Sequence, residues 1–196
     1  LYDQRVHSRV ERFERLLKHY GIDDAPLAQE LGNKYAAARK LYMRNFLKPE
    51  SAEVLEELQD RGLTLGVITN GVPIIQRQTL EALGLAEYFD YVVISGLVGY
   101  QKPDRRIFDH AAERAGCSAE ETLYVGDNPT VDVAGADRAG WRSVLLFSPW
   151  RALSREMPMP DFVITRLPQL LRILDGEEPD DPEVALLSQR SAQGSK

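Results

Sequence analysis

Apolar residues recur every three to four positions over 2–20, at Val6, Val10, Phe13, Leu16, Leu17 and Tyr20, and this period predicts an amphipathic helix ended by Gly21. A second stripe, Leu27, Leu31, Tyr35, Ala38, Tyr42 and Phe46, predicts another helix, with Pro26 in its first turn and Pro49 at its exit. Residues 1–47 therefore read as a helical hairpin without a strand. The Tyr35–Tyr42–Phe46 stripe reads as packing within it. The pattern then changes. Residues 51–61 suit a short helix, with Ser51 as N-cap and Gly62 as stop. From there short continuous apolar runs alternate with helical periods. Strands are predicted at 63–70, 91–95, 122–127, 142–148 and 162–165. Helices are predicted at 73–83, 103–115 with Pro103 in its first turn, 130–139 and 167–174, and Ser118 with Glu121 suits a capping box.

Strands alternating with helices imply right-handed crossovers and a mostly parallel sheet. Strands without polar alternation imply burial on both faces. The expected fold is an α/β, doubly wound, Rossmann-like core over 48–174, preceded by the small helical unit 1–47. Six acids between Asp175 and Glu183, then polar residues, read as a disordered tail over 175–196.

Composition narrows the function classes. The 196 residues are about 1.3 times a typical domain. Asp plus Glu total 30 against 24 Lys plus Arg, a net charge of −6, which disfavours nucleic-acid and anionic-membrane partners. No apolar run nears the ~20 residues that span a bilayer. No signal peptide opens the chain. A single cysteine, Cys117, excludes an internal disulfide, so a reducing cytoplasmic setting is the default.

In open α/β sheets, ligands bind beyond the carboxyl ends of the strands. Three such ends carry chemistry here: Thr69-Asn70-Gly71, then Lys102-Pro103 after the second strand, then Gly126-Asp127-Asn128 continuing to Asp132. A hydroxyl and backbone N–H groups can hold phosphoryl oxygens, and a lysine offsets their charge. Two carboxylates suit a hard cation such as Mg²⁺. Together these are parts of a phosphoryl-transfer site. Each also has a plainer reading. Thr69-Asn70-Gly71 alone makes a turn. Lys102 can be an exposed residue at a helix start. Asp127 can cap the following helix, and Asp132 can be an acid favoured by that helix dipole. His7, His19 and His110 form no metal-spaced pair, Cys117 and Trp141 read as structural, and Trp150 as packing or a contact with the hairpin.

The order TNG, KPD, GDNPTVDVAGA, with YFDYVVISGLVGYQKPDRRIF between, resembles the haloacid dehalogenase-type hydrolase superfamily over residues 1–174. It is most similar to the branch bearing a helical cap, with nucleotidase-like members. The resemblance implies a Mg²⁺-dependent phosphomonoesterase acting on a small soluble phosphate through an aspartyl-phosphate. Thr69, with the backbone at Asn70 and Gly71, would hold the phosphoryl group. Lys102 would stabilise phosphate and nucleophile. Asp127 would bind Mg²⁺ directly, and Asp132 directly or through water. The hairpin 1–47 would be the substrate-selecting cap.

Family members begin with a central strand ending in Asp-x-Asp-x-Thr/Val, whose first Asp is the nucleophile, and no such motif occurs in these 196 residues. Asp3 lies in a helical pattern, and Asp23-Asp24 and Asp180-Asp181 have the wrong spacing. The expectation is a fragment, inactive by itself. Its strands 63–70 and 122–127 would flank a vacant slot about 9.6 Å wide (two strand spacings), a closed-up pairing or a borrowed strand. Two alternatives stand beside it: a metal-independent haloacid dehalogenase, and a non-catalytic binding protein on the same core.

Overall fold

The computed structural model describes residues 9–43, 47–148 and 157–177. Two helices open it, α1 (Arg9–His19) and α2 (Ala25–Met43), packed against one another. Asp24 accepts the Leu27 amide at 2.8 Å and so caps α2. Leu17 and Ala28 are buried between the helices, and the Phe13 and Tyr35 rings meet edge-on at 6.1 Å. The rest of the stripe is less covered than the period suggested. Leu41 is 71% and Tyr42 57% exposed, so Tyr42 is not packing inside the hairpin. An apolar stripe specifies a face but not what covers it. Phe46 and Trp150 lie outside the described residues.

The α/β body follows in the expected order: α3 (Glu50–Asp60), β1 (Gly66–Thr69), α4 (Pro73–Leu83), β2 (Tyr91–Ile94), α5 (Ser95–Val98), α6 (Arg105–Ala115), β3 (Leu123–Gly126), a wide helical turn at Pro129–Val133, α7 (Ala134–Ala139), β4 (Arg142–Leu146), β5 (Phe162–Ile164) and α8 (Gln169–Leu174). All strand pairs are parallel. They form two separate sheets, β1 with β2 and β3 with β4 and β5. β1 and β3 are therefore not paired to one another, so the closed-up pairing is not formed, and among the described residues no strand pairs with the free edge of either. What spans them is a side chain: the Tyr124 hydroxyl of β3 lies 3.4 Å from the Ile68 carbonyl of β1.

Two cores hold the layers together. Ile68, Val93, Ile107, Phe108, Ala111, Ala136, Ala139 and Trp141 join both sheets to α6 and α7. Val54, Leu58, Val144, Ile164, Leu170 and Ile173 join β4 and β5 to α3 and α8. Trp141 is buried edge-on to Phe108 at 5.4 Å. Because Ile68 and Trp141 share the first core, the two sheets are fastened through helices and aromatic rings rather than through a backbone ladder.

Several boundaries differ from the sequence reading, each for a local reason. Ser51 lies within α3, which starts one residue earlier, and its amide donates to the Lys48 carbonyl at 2.9 Å; the N-cap position falls to Pro49, without a side-chain cap. Pro103 precedes α6 across a cis peptide bond, and Asp104 caps that helix instead, accepting the Arg106 amide at 3.0 Å. Ser95 leaves the second strand to begin α5. Ser118 and Glu121 do meet, but in a turn and with one acceptor: Glu121 Oε2 accepts both the Ser118 amide and the Ser118 hydroxyl at 2.9 Å. Asp175, placed in the tail by composition, pairs with Arg61 at 2.8 Å, and residues 178–196 lie outside the described residues.

Candidate active site

The candidate site lies where β1, β2 and β3 end. Thr69 is the last residue of β1, half-buried and in register with Ile94. Asn70 then turns its side chain onto the backbone of Lys102, thirty-two residues away. Its Oδ1 accepts the Lys102 amide at 2.8 Å, and its Nδ2 donates to the Lys102 carbonyl at 2.9 Å. This pair mimics one rung of a sheet and joins two loops that no strand connects. Asn70 is thus engaged through its side chain with protein.

Gly71 has φ of 138°, a region that only glycine adopts readily, and a Cβ there would lie 2.5 Å from Gln76 Nε2. Its amide donates to Ser95 Oγ at 2.9 Å, and its carbonyl accepts the Gly96 amide at 3.2 Å. Gln76 Nε2 donates to the Asn70 carbonyl at 3.2 Å. The loop after β1 is therefore braced by Ser95 and Gln76, two residues the sequence reading did not single out.

Beyond β3 the geometry is organised by charge. Gly126 lets Asp132 pack against the strand end, since a Cβ at 126 would lie 2.3 Å from the Asp132 Cβ. The Asp132 carboxylate is 5% exposed. Its Oδ2 accepts the amides of Asp127 and Asn128 at 3.2 and 3.0 Å. Its Oδ1 meets the Lys102 ammonium at 2.8 Å. A buried carboxylate and a part-buried ammonium, with additional backbone donors, make a compensated cluster; the carboxylate alone there would be costly. Asp127 is exposed one residue past β3. The cap of the next turn is Asn128, whose Oδ1 accepts the Thr130 amide at 3.2 Å, so the plainer reading of Asp127 as that cap does not hold. Asp132 belongs to the wide turn itself.

Tyr124 completes the cluster. Its hydroxyl accepts from Lys102 Nζ at 2.7 Å and lies 3.4 Å from both the Asp132 carboxylate and the Ile68 carbonyl. Burial, with the Asp132 charge beside it, pushes the phenol well above its ordinary range. The sequence reading missed Tyr124. The available signal was a tyrosine in an otherwise apolar strand, since a buried phenol O–H seeks a polar partner.

The structure thus brings together the segments carrying Thr69, Lys102 and Asp132, with Asp127 attached through its amide. The arrangement can present a lysine charge and hard oxygen donors at one rim. Among the described residues no group of three His, Cys, Asp or Glu side chains is positioned to share a metal ion. His19 and His110 take no part, and Cys117 Sγ sits 3.3 Å from Thr122 Oγ1 in a structural contact.

Comparison with known proteins follows the same segments. Residues 2–140 match the haloacid dehalogenase-like hydrolase family. The phosphoserine phosphatase of Thermus thermophilus is 46% identical over 117 residues, 60% of this chain and 46% of that protein. The glyceraldehyde 3-phosphate phosphatase of Methanopyrus kandleri is 34% identical over 169 residues, 83% of this chain and 70% of that protein. The chain thus spans about half of the first and a little over two thirds of the second. Among solved structures, the magnesium-bound haloacid dehalogenase-type hydrolase YfnB of Bacillus subtilis superposes with a TM-score of 0.68 at 30% identity, covering 85% of this chain and 71% of that one. The match over 139 positions takes in Thr69 at the end of β1, the loop that carries Lys102 and Asp127 just past β3, and leaves one assignment: the chain belongs to the haloacid dehalogenase-like hydrolase family.

Proposed function

We propose that the whole protein hydrolyses phosphomonoesters of small soluble metabolites with Mg²⁺, and that these 196 residues carry the part of the site that lies outside its Asp-x-Asp strand, which would supply the nucleophile, the acid/base and one metal ligand. The observation that carries this reading is the buried Lys102–Asp132 pair at 2.8 Å, beside the ends of β1 and β3. Thr69 and the loop at Asn70 and Gly71 would receive the phosphoryl oxygens, and Lys102 would offset their charge. A phosphoryl oxygen reaching the Gly71 amide would replace Ser95 as its acceptor.

The donor set fits Mg²⁺, which takes oxygen ligands and keeps several waters. Asp127 would hold the ion directly. Asp132, already engaged by two amides and an ammonium, suits contact through water. The ion would polarise the phosphoryl group, while the lysine and the loop orient it. Bound magnesium in the Bacillus subtilis neighbour and phosphatase activity named for both relatives support this choice.

The sequence holds no Asp-x-Asp-x-Thr/Val, and β1 and β3 stand in separate sheets. Both support a nucleophile-bearing strand supplied from outside these residues and lying between the two sheets. The hairpin 1–47 would serve as cap, and the core would run from 48 to 174. The setting would be cytoplasmic. Phosphoserine, glyceraldehyde 3-phosphate and nucleoside monophosphates are the first substrates to assay.

The whole protein with Mg²⁺ is expected to release phosphate from at least one of these, to lose that activity in chelator, and to lose 10²–10³-fold in kcat on Lys102→Ala. The 196-residue chain alone is expected to release none. Phosphate release by that chain at the whole protein's rate would contradict the nucleophile assignment. Metal-independent halide release from a 2-haloacid would replace the phosphatase reading with dehalogenase chemistry. Absence of both activities in the whole protein would favour a binding role.

A further inference from the structure

We propose that Tyr124 is a positioning residue that aims the Lys102 ammonium into the site. The inference rests on the phosphatase reading for its consequence, but its geometry stands independently. Lys102 arrives on the loop after β2, and its Nζ has two acceptors at close range, Asp132 Oδ1 at 2.8 Å and Tyr124 Oη at 2.7 Å. A carboxylate alone would draw the ammonium towards the Asp132 side. The second, neutral acceptor fixes its direction. An ammonium carries three donors, so two are held and the third remains for an anionic ligand.

The tyrosine is itself held. Its ring meets Phe108 edge-on at 5.1 Å and lies 6.3 Å from Trp141. Its hydroxyl reaches the Ile68 carbonyl, one residue before Thr69. A strand placed between β1 and β3 would take that carbonyl, whereas the contacts of the hydroxyl with Lys102 at 2.7 Å and with Asp132 at 3.4 Å do not cross the gap. The phenol stays neutral because burial and the nearby carboxylate disfavour phenolate. A neutral hydroxyl accepts from the lysine and donates its own hydrogen onward, so it orients the cation without adding charge.

Tyr124→Phe keeps the ring and removes the oxygen. In the whole protein it is expected to lower kcat ten- to hundredfold, the scale of one hydrogen bond to a charged group, with KM changed less than threefold. In the 196-residue chain, ¹³C-resolved NMR of lysine side chains adds a readout independent of turnover. Wild-type Lys102, identified by its loss in Lys102→Met, is expected to show two distinct Hε shifts and a cross-peak to the Tyr124 ring protons. The two shifts are expected to merge in Tyr124→Phe while the melting temperature stays within a few degrees.

Unchanged kcat together with unchanged Hε splitting would overturn the proposal. So would a missing wild-type cross-peak, which needs no variant to fold. If the whole protein shows no phosphatase activity but the NMR result is as expected, the reading of function fails and the holding of Lys102 by Tyr124 stands.

Discussion

The two sides of the candidate site are built by different physics. On the β1–β2 side, the loops carrying Thr69 and Lys102 are fixed by neutral hydrogen bonds: Asn70 to both backbone groups of Lys102, Ser95 to Gly71, and Gln76 to Asn70. On the β3 side, the fixing element is a buried carboxylate that gathers two amides, an ammonium and a phenol. Neutral bonds set spacing and tolerate the loss of one member at modest cost. The charged cluster depends on its shared carboxylate, because removing Asp132 strands the ammonium and both amides at once. Lys102 belongs to both sides, by its backbone to the first and its side chain to the second.

The contrast predicts a ranking of stability losses in this chain. Asp132→Ala leaves the Lys102 ammonium and two amides without their acceptor, and is expected to cost about 3–5 kcal/mol in urea unfolding. Lys102→Met, at the same ion pair, is expected to cost less, about 1–3 kcal/mol, because Asp132 keeps both amide donors. A larger loss for Lys102→Met than for Asp132→Ala would break the comparison. Asn70→Ala removes two neutral bonds from a half-buried loop and is expected to cost about 1–3 kcal/mol. A loss there equal to that of Asp132→Ala would erase the distinction between the two sides.

The smallest expected effect lies just outside the cluster, at the cap of α6. Asp104 accepts from the Arg106 side chain and amide, and these bonds hold its carboxyl at about 2 against an ordinary 3.8. A depressed folded-state value means that the stabilisation is complete above the ordinary value and is lost as pH falls from about 4 towards 2. Asp104→Ala is expected to cost at most about 1 kcal/mol at neutral pH, since the ion pair is partly solvated. Asp104→Asn retains the cap, and its stability curve is expected to flatten between pH 4 and 2. An Asp104→Asn curve as steep as the wild type's would assign that slope to other carboxylates.

Much of this architecture was legible in the sequence. Continuous apolar runs between helical periods indicated the order of strands and helices, although burial runs through three consecutive residues only along the middle of β4, while β3 has no buried residue and β1 only Ile68. The three motif segments followed from their position at strand ends. The predicted strands were too long because an apolar run continues where pairing stops, as at Leu63 and Leu65 before β1. The plainer reading of Asp127 as a cap missed by one position, since Asp and Asn both cap and Asn128 takes the role. The Asn70 clamp was not legible, as it joins a side chain to a backbone thirty-two residues away and leaves no local period. Tyr124 was hidden for the same reason: its partners come from three separate segments. In the hairpin, the stripe at Tyr35 and Tyr42 gave the helix but not its coverage, which depends on what packs against it.

The Lys102 loop and the β3 end meet in one charge-balanced cluster. A double-mutant cycle on the 196-residue chain, with Lys102→Met, Asp132→Ala and the pair, tests it most directly by urea unfolding. The paired variant is expected to be more stable than the sum of the single losses predicts, by at least about 1 kcal/mol, because neither charge is left stranded. Additivity within about 0.5 kcal/mol would mean that the two residues do not touch, and the site assembled here would not exist.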